Sequence, residues 1–392
     1  MKVINDGYIV VEDSRIQEVS RGELPKADKV IERKDCVVIP GFINAHTHIG
    51  DSVFKESGLG KNLNELFKPP DGLKHKLLRN TSDATIRNGI ENTLSEMLQS
   101  GIVVFADFRE GALAGAKMLH GTLDNKLIKG FIFGRLDFSF SNESLEKNDT
   151  RYTDDILLSS NRMKDIVDGI VPTSPNDVTD EALRQLSSIN KKNNWLKITH
   201  VAEDPRSIEI SKRRTGLTEV ERAINYFKAD SLVHGIYLNE QDLDMIADGN
   251  IPITCCPKAN ALLGLDLPRI PDMVEKGILV SLGTDNVMLN PPDMFKEMCF
   301  ALTIYRSEGS QNPSPENILQ MATINGAKTL KIEKEFGSIE EGKRANLVFI
   351  KTNTHRLRFS KNILASIILR IESSDVELVL IDGKTAFKRT DF

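Results

Sequence analysis

Short apolar runs alternate with longer amphipathic stretches through the middle of the chain. There are eight such runs, each short enough for a buried strand, and the stretches between them carry apolar residues at helical spacing. Eight strands alternating with helices over about 250 residues have the size and rhythm of a (β/α)8 barrel. The predicted strands are Cys36–Ala45, Ile102–Phe108, Gly130–Leu136, Ile166–Pro172, Leu196–Val201, Ser231–Ile236, Ile251–Cys256 and Leu279–Leu282.

The amphipathic stretches between these strands predict helices. An open, doubly wound sheet is the alternative for alternating strands and helices, but no glycine-rich nucleotide fingerprint follows any predicted strand. The pattern therefore favours an α/β fold, a TIM barrel over residues 40–336. The clearest predicted helices are Asp83–Gln99, Thr179–Lys192, Leu217–Phe227 and Asn239–Asp248.

The two ends of the chain have a different texture, typical of short, half-exposed strands joined by turns. Asp382-Gly383, for example, is a tight-turn pair. We expect residues 1–39 and 337–392 to fold together as a small composite β-sandwich domain beside the barrel. Its predicted strands are Tyr8–Val11, Ser14–Val19, Asn346–Ile350 and Val376–Ile381.

Composition and charge narrow the partners and the compartment. The formal net charge is −5 and Lys and Arg form no clusters, which argues against a nucleic-acid partner. Apolar stretches such as Ile363–Leu369 are too short to span a membrane, and the polar start is unlike a signal peptide. No cysteine lies in a C-x-x-C pair, so we expect reduced thiols in a soluble, cytoplasmic protein. The cysteines are Cys36, Cys255, Cys256 and Cys299.

Two histidines close the first predicted strand, in the segment Pro40-Gly-Phe-Ile-Asn-Ala-His46-Thr-His48. Residues two apart on a strand share a face, so both imidazoles can point to one place. In a barrel, that place is the carboxyl-end mouth, where active sites lie. An exposed pair of histidines at a strand end is the alternative interpretation of this motif taken alone.

Three further strands end in residues of the same chemistry. His200 closes the fifth predicted strand, His234 closes the sixth, and Asp285 follows the eighth. Imidazoles and a carboxylate meeting at one mouth are a suitable ligand set for a divalent metal ion. Glu203, just past the fifth strand, is a candidate proton-transfer group, or else an exposed loop acid. His120 and His355 fall outside this pattern and are expected to be structural or exposed.

These segments resemble the amidohydrolase superfamily, and within it the branch of cytosine deaminase, adenosine-type deaminases and triazine chlorohydrolases. The similarity covers nearly the whole chain in order. It is specific for the superfamily and not for a substrate. The matching segments are those of His46 and His48, His200-Val-Ala-Glu203, Val-His234-Gly, Cys256-Pro-Lys-Ala-Asn260, Leu-Gly-Thr-Asp285, Asp272–Gly277, Pro292–Glu297 and Gly337–Leu347.

The resemblance implies a ligand set and a reaction. His46, His48, His200 and Asp285 would hold one divalent ion, with zinc the first candidate and iron the alternative. The catalytic groups would be Asp285, Glu203 as proton shuttle, and His234 beside the reacting water. Binuclear relatives use a carboxylated lysine on strand four, and Ile166–Pro172 contains no lysine, which favours a single ion. The implied reaction is hydrolytic deamination of an amino-substituted heterocycle.

The substrate is left open at this point. The loop Gly50–Arg79 is long and lacks the Met…Arg-Gly element usual in adenosine-type deaminases, which argues against a nucleoside. Chloride release, cyclic-amide opening and a non-catalytic scaffold are the alternatives to deamination of a small molecule, and a homodimer is an open possibility for the assembly. Charged groups that either contact the substrate or are simply solvated are Lys74, His75, Arg109, Glu110 and Arg135.

Overall fold

The computed structural model describes residues 3–68, 71–307 and 314–389. The outer ends of the predicted β-sandwich domain (1–2 and 390–392) and Pro69 and Pro70 of the long loop lie outside the described residues. The strands are β1 (Gly7–Glu12), β2 (Arg15–Arg21), β3 (Cys36–Pro40), β4 (Phe42–His48), β5 (Ile102–Phe108), β6 (Lys129–Gly134), β7 (Gly169–Ile170), β8 (Ile198–Val201), β9 (Ser231–His234), β10 (Ile253–Cys255), β11 (Val280–Leu282), β12 (Asp285–Asn286), β13 (Leu347–Lys351), β14 (Val376–Ile381) and β15 (Lys384–Lys388).

Helices fill most of the segments between these strands. The α-helices are α1 (Leu63–Phe67), α2 (Leu73–Arg79), α3 (Asp83–Gln99), α4 (Ala112–Leu123), α5 (Asn142–Lys147), α6 (Asp154–Ser159), α7 (Asp180–Asn193), α8 (Pro205–Thr215), α9 (Glu219–Arg222), α10 (Glu240–Asp248), α11 (Pro257–Leu262), α12 (Ile270–Glu275), α13 (Met294–Ser307), α14 (Pro315–Met321), α15 (Ile324–Thr329) and α16 (Ile363–Leu369). Short 3-10 turns cover Ile49–Phe54, Ser160–Met163, Pro175–Asp177 and Ser373–Asp375, and a π-helical turn covers Ala223–Phe227.

Two parallel sheets form the centre of the molecule. One has the order β12-β4-β5-β6-β7 and the other β11-β10-β9-β8. Backbone hydrogen bonds cross both seams between them, from Leu196 N, before β8, to Asp168 O, before β7 (2.8 Å), and from Thr284 N, after β11, to His46 O in β4 (3.0 Å). Helices alternate with the strands, as expected for a TIM-barrel-like α/β fold.

The helices have the start signals and apolar faces that their sequences predict. Ser82 caps α3 by accepting from Thr85 N, and the helix stops just before Gly101, whose φ of +84° favours glycine. The α3 side chains that face the core are spaced three or four residues apart, which is the period of a helix packed on one side. They are Ile86, Ile90, Thr93, Leu94 and Met97.

Three of the predicted elements differ from the structure. The first predicted barrel strand is two strands, β3 and β4, because the chain leaves one sheet and enters another at Gly41. A Cβ at Gly41 would lie 2.5 Å from a methyl group of Val103. The predicted fourth strand is reduced to the two residues of β7. The predicted helix Leu217–Phe227 begins only at Glu219 and ends as a π-helical turn.

Both ends of the chain contribute to a separate antiparallel sheet with the order β15-β14-β13-β3. Leu347 and Phe349 pack with β1 and β2 on one face, whereas Val348 and Ile350 belong to the apolar core of the barrel. This alternation has the period of a strand buried on both faces. The texture of the C-terminal segment predicted only strands, but the segment also contains a helix. Helix α16 lies between β13 and β14 and packs against α13 and α14.

Among the described residues, no helix combines the length and apolarity needed to cross a bilayer.

Candidate active site

Four strand ends bring one cluster of imidazoles and carboxylates together at the mouth of the barrel. His46 Nε2 lies 3.2 Å from His200 Nε2 and 3.4 Å from Asp285 Oδ1. His48 Nε2 lies 3.6 Å from the same Asp285 oxygen. Ligand atoms about 2.0–2.1 Å from a tetrahedral zinc ion lie about 3.3 Å from one another, so these separations fit one such ion.

Hydrogen bonds fix which nitrogen of two histidines carries a proton. His48 Nδ1 lies 2.9 Å from Phe108 O, and His200 Nδ1 lies 2.6 Å from Thr173 O. A carbonyl oxygen only accepts, so both Nδ1 atoms donate and both Nε2 atoms carry lone pairs. One of these lone pairs lies 3.2 Å from His46 Nε2 and the other 3.6 Å from Asp285 Oδ1, an arrangement that a cation between them would stabilise. The donor set therefore suits a divalent metal ion.

Burial keeps these ligands in the form that binds metal. It lowers the pKa of His46 to about 4 and that of His200 well below its ordinary value, so both are neutral at pH 7. Burial alone would raise the pKa of Asp285, but the His46 hydrogen bond and the neighbouring imidazoles outweigh it and hold this pKa well below the usual range. The result is a pair of neutral imidazoles, His46 and His200, beside an ionised carboxylate at Asp285.

The chain reaches this geometry through close backbone approaches. A Cβ at Gly283 would lie 2.7 Å from His46 O, so a glycine is needed where the chain turns toward Asp285. Asn44 Nδ2 donates to Thr284 Oγ1 (2.7 Å), and Thr47 Oγ1 donates to Asp285 O (2.9 Å). These bonds tie β12 to β4 and set the distance between the histidine pair and the carboxylate.

His234 lies in the same cluster with a different hydrogen-bond pattern. Its Nδ1 is 3.2 Å from Asn260 Nδ2, an amide donor, so Nδ1 accepts and Nε2 carries the proton. Burial lowers the pKa of His234 to about 3, so the ring is neutral. Its Nε2 lies 3.6 Å from Glu203 Oε1, at the edge of the metal cluster.

Glu203 lies on the loop after β8, and its side chain is 21% exposed. Burial and the negative charge of Asp285 raise the pKa of Glu203 well above its ordinary value. The loop is fastened by Glu219, whose carboxylate accepts from Ala202 N (2.9 Å) and from Ser207 Oγ (2.7 Å). Ala202 has a φ of +50°, a left-handed conformation that the Glu219 contact helps to keep.

The predicted substrate-contacting groups lie in two different settings. Lys74 and Arg109 are buried, and both form ion pairs with Glu110. Arg135 and His75 are partly exposed at the mouth. Arg135 Nη1 donates to Thr173 Oγ1 (2.8 Å), and His75 Nε2 lies 3.0 Å from Phe67 O. Outside the cluster, His120 and His355 are exposed.

Several residues of the site have no clear sequence signal. Glu219, Thr173 and Phe108 act through hydrogen bonds to the loop or to ligands that lie far away in the sequence. Asp51 is fully buried near Lys74, although it lies in the long loop after β4. Asn260 had a signal, because it belongs to the Cys-Pro-Lys-Ala-Asn segment.

The sequence matches a known protein family over most of its length. The model of the amidohydrolase family matches residues 37–386. The chain belongs to the amidohydrolase family. This confirms the resemblance read from the motifs and the expected enzyme class, a hydrolase acting on carbon–nitrogen bonds.

Known relatives of this amidohydrolase cover nearly its full length. An uncharacterized protein of Methanocaldococcus jannaschii is 36% identical over 95% of this chain and 93% of its own. The 5-methylthioadenosine/S-adenosylhomocysteine deaminase of Pyrococcus horikoshii is 30% identical over 96% of this chain and 89% of its own. A zinc-bound adenosine deaminase structure from Xanthomonas campestris superposes with a TM-score of 0.83 at 19% identity, covering 97% of this chain and 88% of that one. That similarity confirms the TIM-barrel-like fold.

Proposed function

We propose that this amidohydrolase deaminates an amino-substituted heterocycle by hydrolysis at a single zinc ion. The observation that carries the proposal is the convergence of His46, His48, His200 and Asp285 at separations of 3.2–3.6 Å. Glu203 and His234 lie beside this cluster, where a reacting molecule has to bind. Family membership supplies the reaction type, hydrolysis of a carbon–nitrogen bond.

We propose zinc as the ion, held by His46, His48, His200 and Asp285. Nitrogen donors with one carboxylate suit zinc, and iron is the alternative. When bound, such an ion supplies Lewis acidity that brings the ionisation of water to about pH 7. The stretch 166–172 contains no lysine for a bridging ligand, which supports one ion rather than two.

The residues around the ion divide the proton transfers. Asp285, held as a carboxylate, accepts the proton of the attacking water. His234, with its proton on Nε2, donates a hydrogen bond to the water oxygen and holds it in line with the C=N carbon. Glu203, in its protonated form, gives its proton to the ring nitrogen, then takes up the proton of the added hydroxyl group and passes it to the leaving amine. The proton that Asp285 accepted returns to Glu203. Amine loss leaves a carbonyl group and releases ammonia, so atoms and charges balance.

The relative from Pyrococcus horikoshii makes an adenine-type amino group the first substrate to test. Because the Met…Arg-Gly element is absent, the part of the substrate outside the amino-substituted ring is bound by other residues than in adenosine-type deaminases. Arg135 and His75 are the proposed substrate contacts, since both are partly exposed at the mouth. Arg135 has no ion-pair partner among the described residues and can bind an anionic substituent. Chloride release and cyclic-amide opening remain the alternative reactions, and the scaffold alternative is disfavoured by an intact ligand set.

Further features of the molecule belong to the same proposal. The backbone bonds across both seams support a closed eight-stranded barrel over residues 40–336. The β3–β13–β14–β15 sheet supports a small β-sandwich domain built from 1–39 and 337–392. All four cysteines are free, which supports a reducing, cytoplasmic setting. A homodimer and the absence of a nucleic-acid partner stay predictions.

Product analysis tests the proposal. Zinc-loaded protein is incubated with amino-heterocycles, adenine nucleosides, chlorotriazines and cyclic amides, and released ammonia, chloride and acid are measured separately. We expect ammonia release from an amino-substituted ring, with the Asp285→Asn variant as inactive control. Chloride or acid release without ammonia would overturn deamination, and bound zinc without any turnover would favour the scaffold alternative.

A further inference from the structure

A chain of buried charges begins at the outer nitrogen of the ligand His48. Besides Phe108 O, His48 Nδ1 faces Glu110 Oε1 at 3.2 Å. The same carboxylate oxygen contacts Lys74 Nζ, and Glu110 Oε2 lies 3.3 Å from Arg109 Nη1. The side chains of Lys74 and Arg109 are 4% and 3% exposed, so solvent screens these contacts very little.

The chain of charges continues to the other side of the metal cluster. Lys74 Nζ lies 3.4 Å from Asp51 Oδ2, and Asp51 has no exposed surface. Asp51 in turn accepts from Asn286 Nδ2 (2.7 Å) and from Met288 N (3.0 Å). Asn286 directly follows Asp285. The network therefore connects the strand of the histidine pair with the segment that carries the carboxylate ligand.

The ion pairs of this network contain equal numbers of opposite charges. Lys74 and Arg109 carry two positive charges, and Glu110 and Asp51 carry two negative charges. A buried lysine with two carboxylate partners has few donors left for a substrate. The position of Lys74 is therefore that of an internal counter-ion.

We propose that Glu110 is a positioning residue for the metal ligand His48, and that Lys74 is its buried counter-ion instead of a substrate contact. The inference rests on the metal site of the proposed function. Together with Phe108 O, Glu110 holds the His48 ring in the orientation and tautomer that leave Nε2 free for the ion. A carboxylate on the outer nitrogen of a ligating histidine typically changes metal affinity by about 10- to 100-fold.

Zinc titration against a competing chelator tests the role of Glu110. Apoprotein of the wild type, Glu110→Gln and the double variant Lys74→Met/Glu110→Gln is compared. We expect zinc affinity about 10- to 100-fold lower in Glu110→Gln. Part of that loss comes from the positive charge of Lys74, which has lost one of its two carboxylate partners. The double variant removes this charge and keeps one positive charge on Arg109 and one negative charge on Asp51. A loss of at least about tenfold persists in the double variant if Glu110 positions His48.

Thermal unfolding of the apoproteins tests the role of Lys74. Lys74→Met and Glu110→Gln each break a buried ion pair, so both lower Tm, and the double variant is more stable than the sum of the two effects. Glu143→Gln is the matched control, because it breaks an exposed Lys–Glu pair with Lys147. We expect it to change neither zinc affinity nor Tm.

Different results would overturn the role of Glu110, the role of Lys74 and the metal site itself. Zinc affinity within about threefold of wild type in the double variant overturns the positioning role, since tenfold is the smallest expected loss. Strictly additive Tm changes overturn the counter-ion role. A wild type that binds no zinc would instead overturn the metal site of the proposed function. If Glu110→Gln does not fold, the charge-balanced double variant still gives the zinc measurement.

Discussion

Asp285 and Glu203 are two carboxylates in one site with opposite surroundings. Asp285 is buried among imidazoles that favour its ionised form. Glu203 lies on a loop, and most of its side chain is buried, with 21% exposed. This burial and the negative charge of Asp285 favour the protonated form of Glu203. Environments that separate two carboxylates in this way are typical of pairs with different catalytic roles.

Amide substitutions at the two positions should separate these roles. We expect Glu203→Gln to lower kcat by about 10²–10⁴-fold while leaving bound zinc unchanged, because a general acid–base contributes about that much. Asp285→Asn should lose both turnover and zinc, since it removes a ligand. Metal analysis and steady-state rates on the substrate found by ammonia release measure both effects. Loss of zinc in Glu203→Gln would make Glu203 a ligand.

Single residues of the site were predictable where strand ends carry metal chemistry. His46, His48, His200, His234 and Asp285 each follow an apolar run, and the structure brings all five together. The groups behind them were less predictable. Lys74 and Glu110 look like loop charges in the sequence, because their burial depends on how the segment after β4 folds over the mouth.

At the scale of elements, the loop after β8 depends on α9. Glu219, the first residue of α9, accepts from Ala202 N, Ser207 Oγ, Asn176 Nδ2 and Ser174 Oγ. These donors belong to the segments after β7 and β8. One buried carboxylate therefore fastens the loop that carries Glu203 to the segment that follows β7.

Replacement of Glu219 by glutamine should loosen the loop without touching the ligands. The amide group of Gln turns an N–H toward one of four donors, so at least one hydrogen bond to a charged acceptor, worth about 1.5–3 kcal/mol, is lost. We expect kcat to fall by about tenfold, the equivalent of 1.4 kcal/mol, with bound zinc unchanged. Glu221→Gln is the control, because Glu221 caps the same helix through Thr218 N (2.6 Å). Equal kinetic losses in both variants would reduce Glu219 to a helix-stability role.

The elements that the sequence pattern missed have local physical reasons. In the sequence, β3 and the start of β4 form one apolar run. The chain changes sheets at Gly41, where the backbone comes so close to Val103 that a Cβ would not fit, and the apolar pattern does not show this close approach. Strand β7 is cut short where Asn190 bonds its backbone, with Asn190 Oδ1 accepting from Ile170 N at 2.8 Å. Helix α16 is short and apolar except for Ser366, a pattern that also fits a buried strand.

At the scale of the whole molecule, the alternation of strands and helices was enough to predict a TIM-barrel-like fold. The partition between barrel and chain ends was harder to predict. One face of the β13–β14 sheet belongs to the same apolar core as the barrel, through Val348, Ile350 and Val379. Periodicity shows that a strand is buried on both faces, but it does not identify the partner on each face.

The metal site lies where the two halves of the barrel meet. His46, His48 and Asp285 belong to the five-stranded sheet, whereas His200 belongs to the four-stranded sheet. An ion held by all four links the two sheets, and ligands from an unfolded chain do not reproduce such a site. Binding should therefore stabilise the whole fold and not only the mouth.

Zinc removal tests this coupling. Stabilisation by a ligand of the folded state grows as the logarithm of its free concentration and reaches about 4 kcal/mol at a thousandfold excess over Kd. We expect the Tm of chelator-treated protein to lie several degrees below that of zinc-loaded protein and to rise steadily as zinc is returned. Calorimetry of wild type and Asp285→Asn measures the effect, and the variant should respond to zinc far less because it lacks one ligand. A Tm that does not depend on zinc in the wild type would mean that no ion joins the two sheets, since any ion bound only to the folded chain has to shift the unfolding equilibrium.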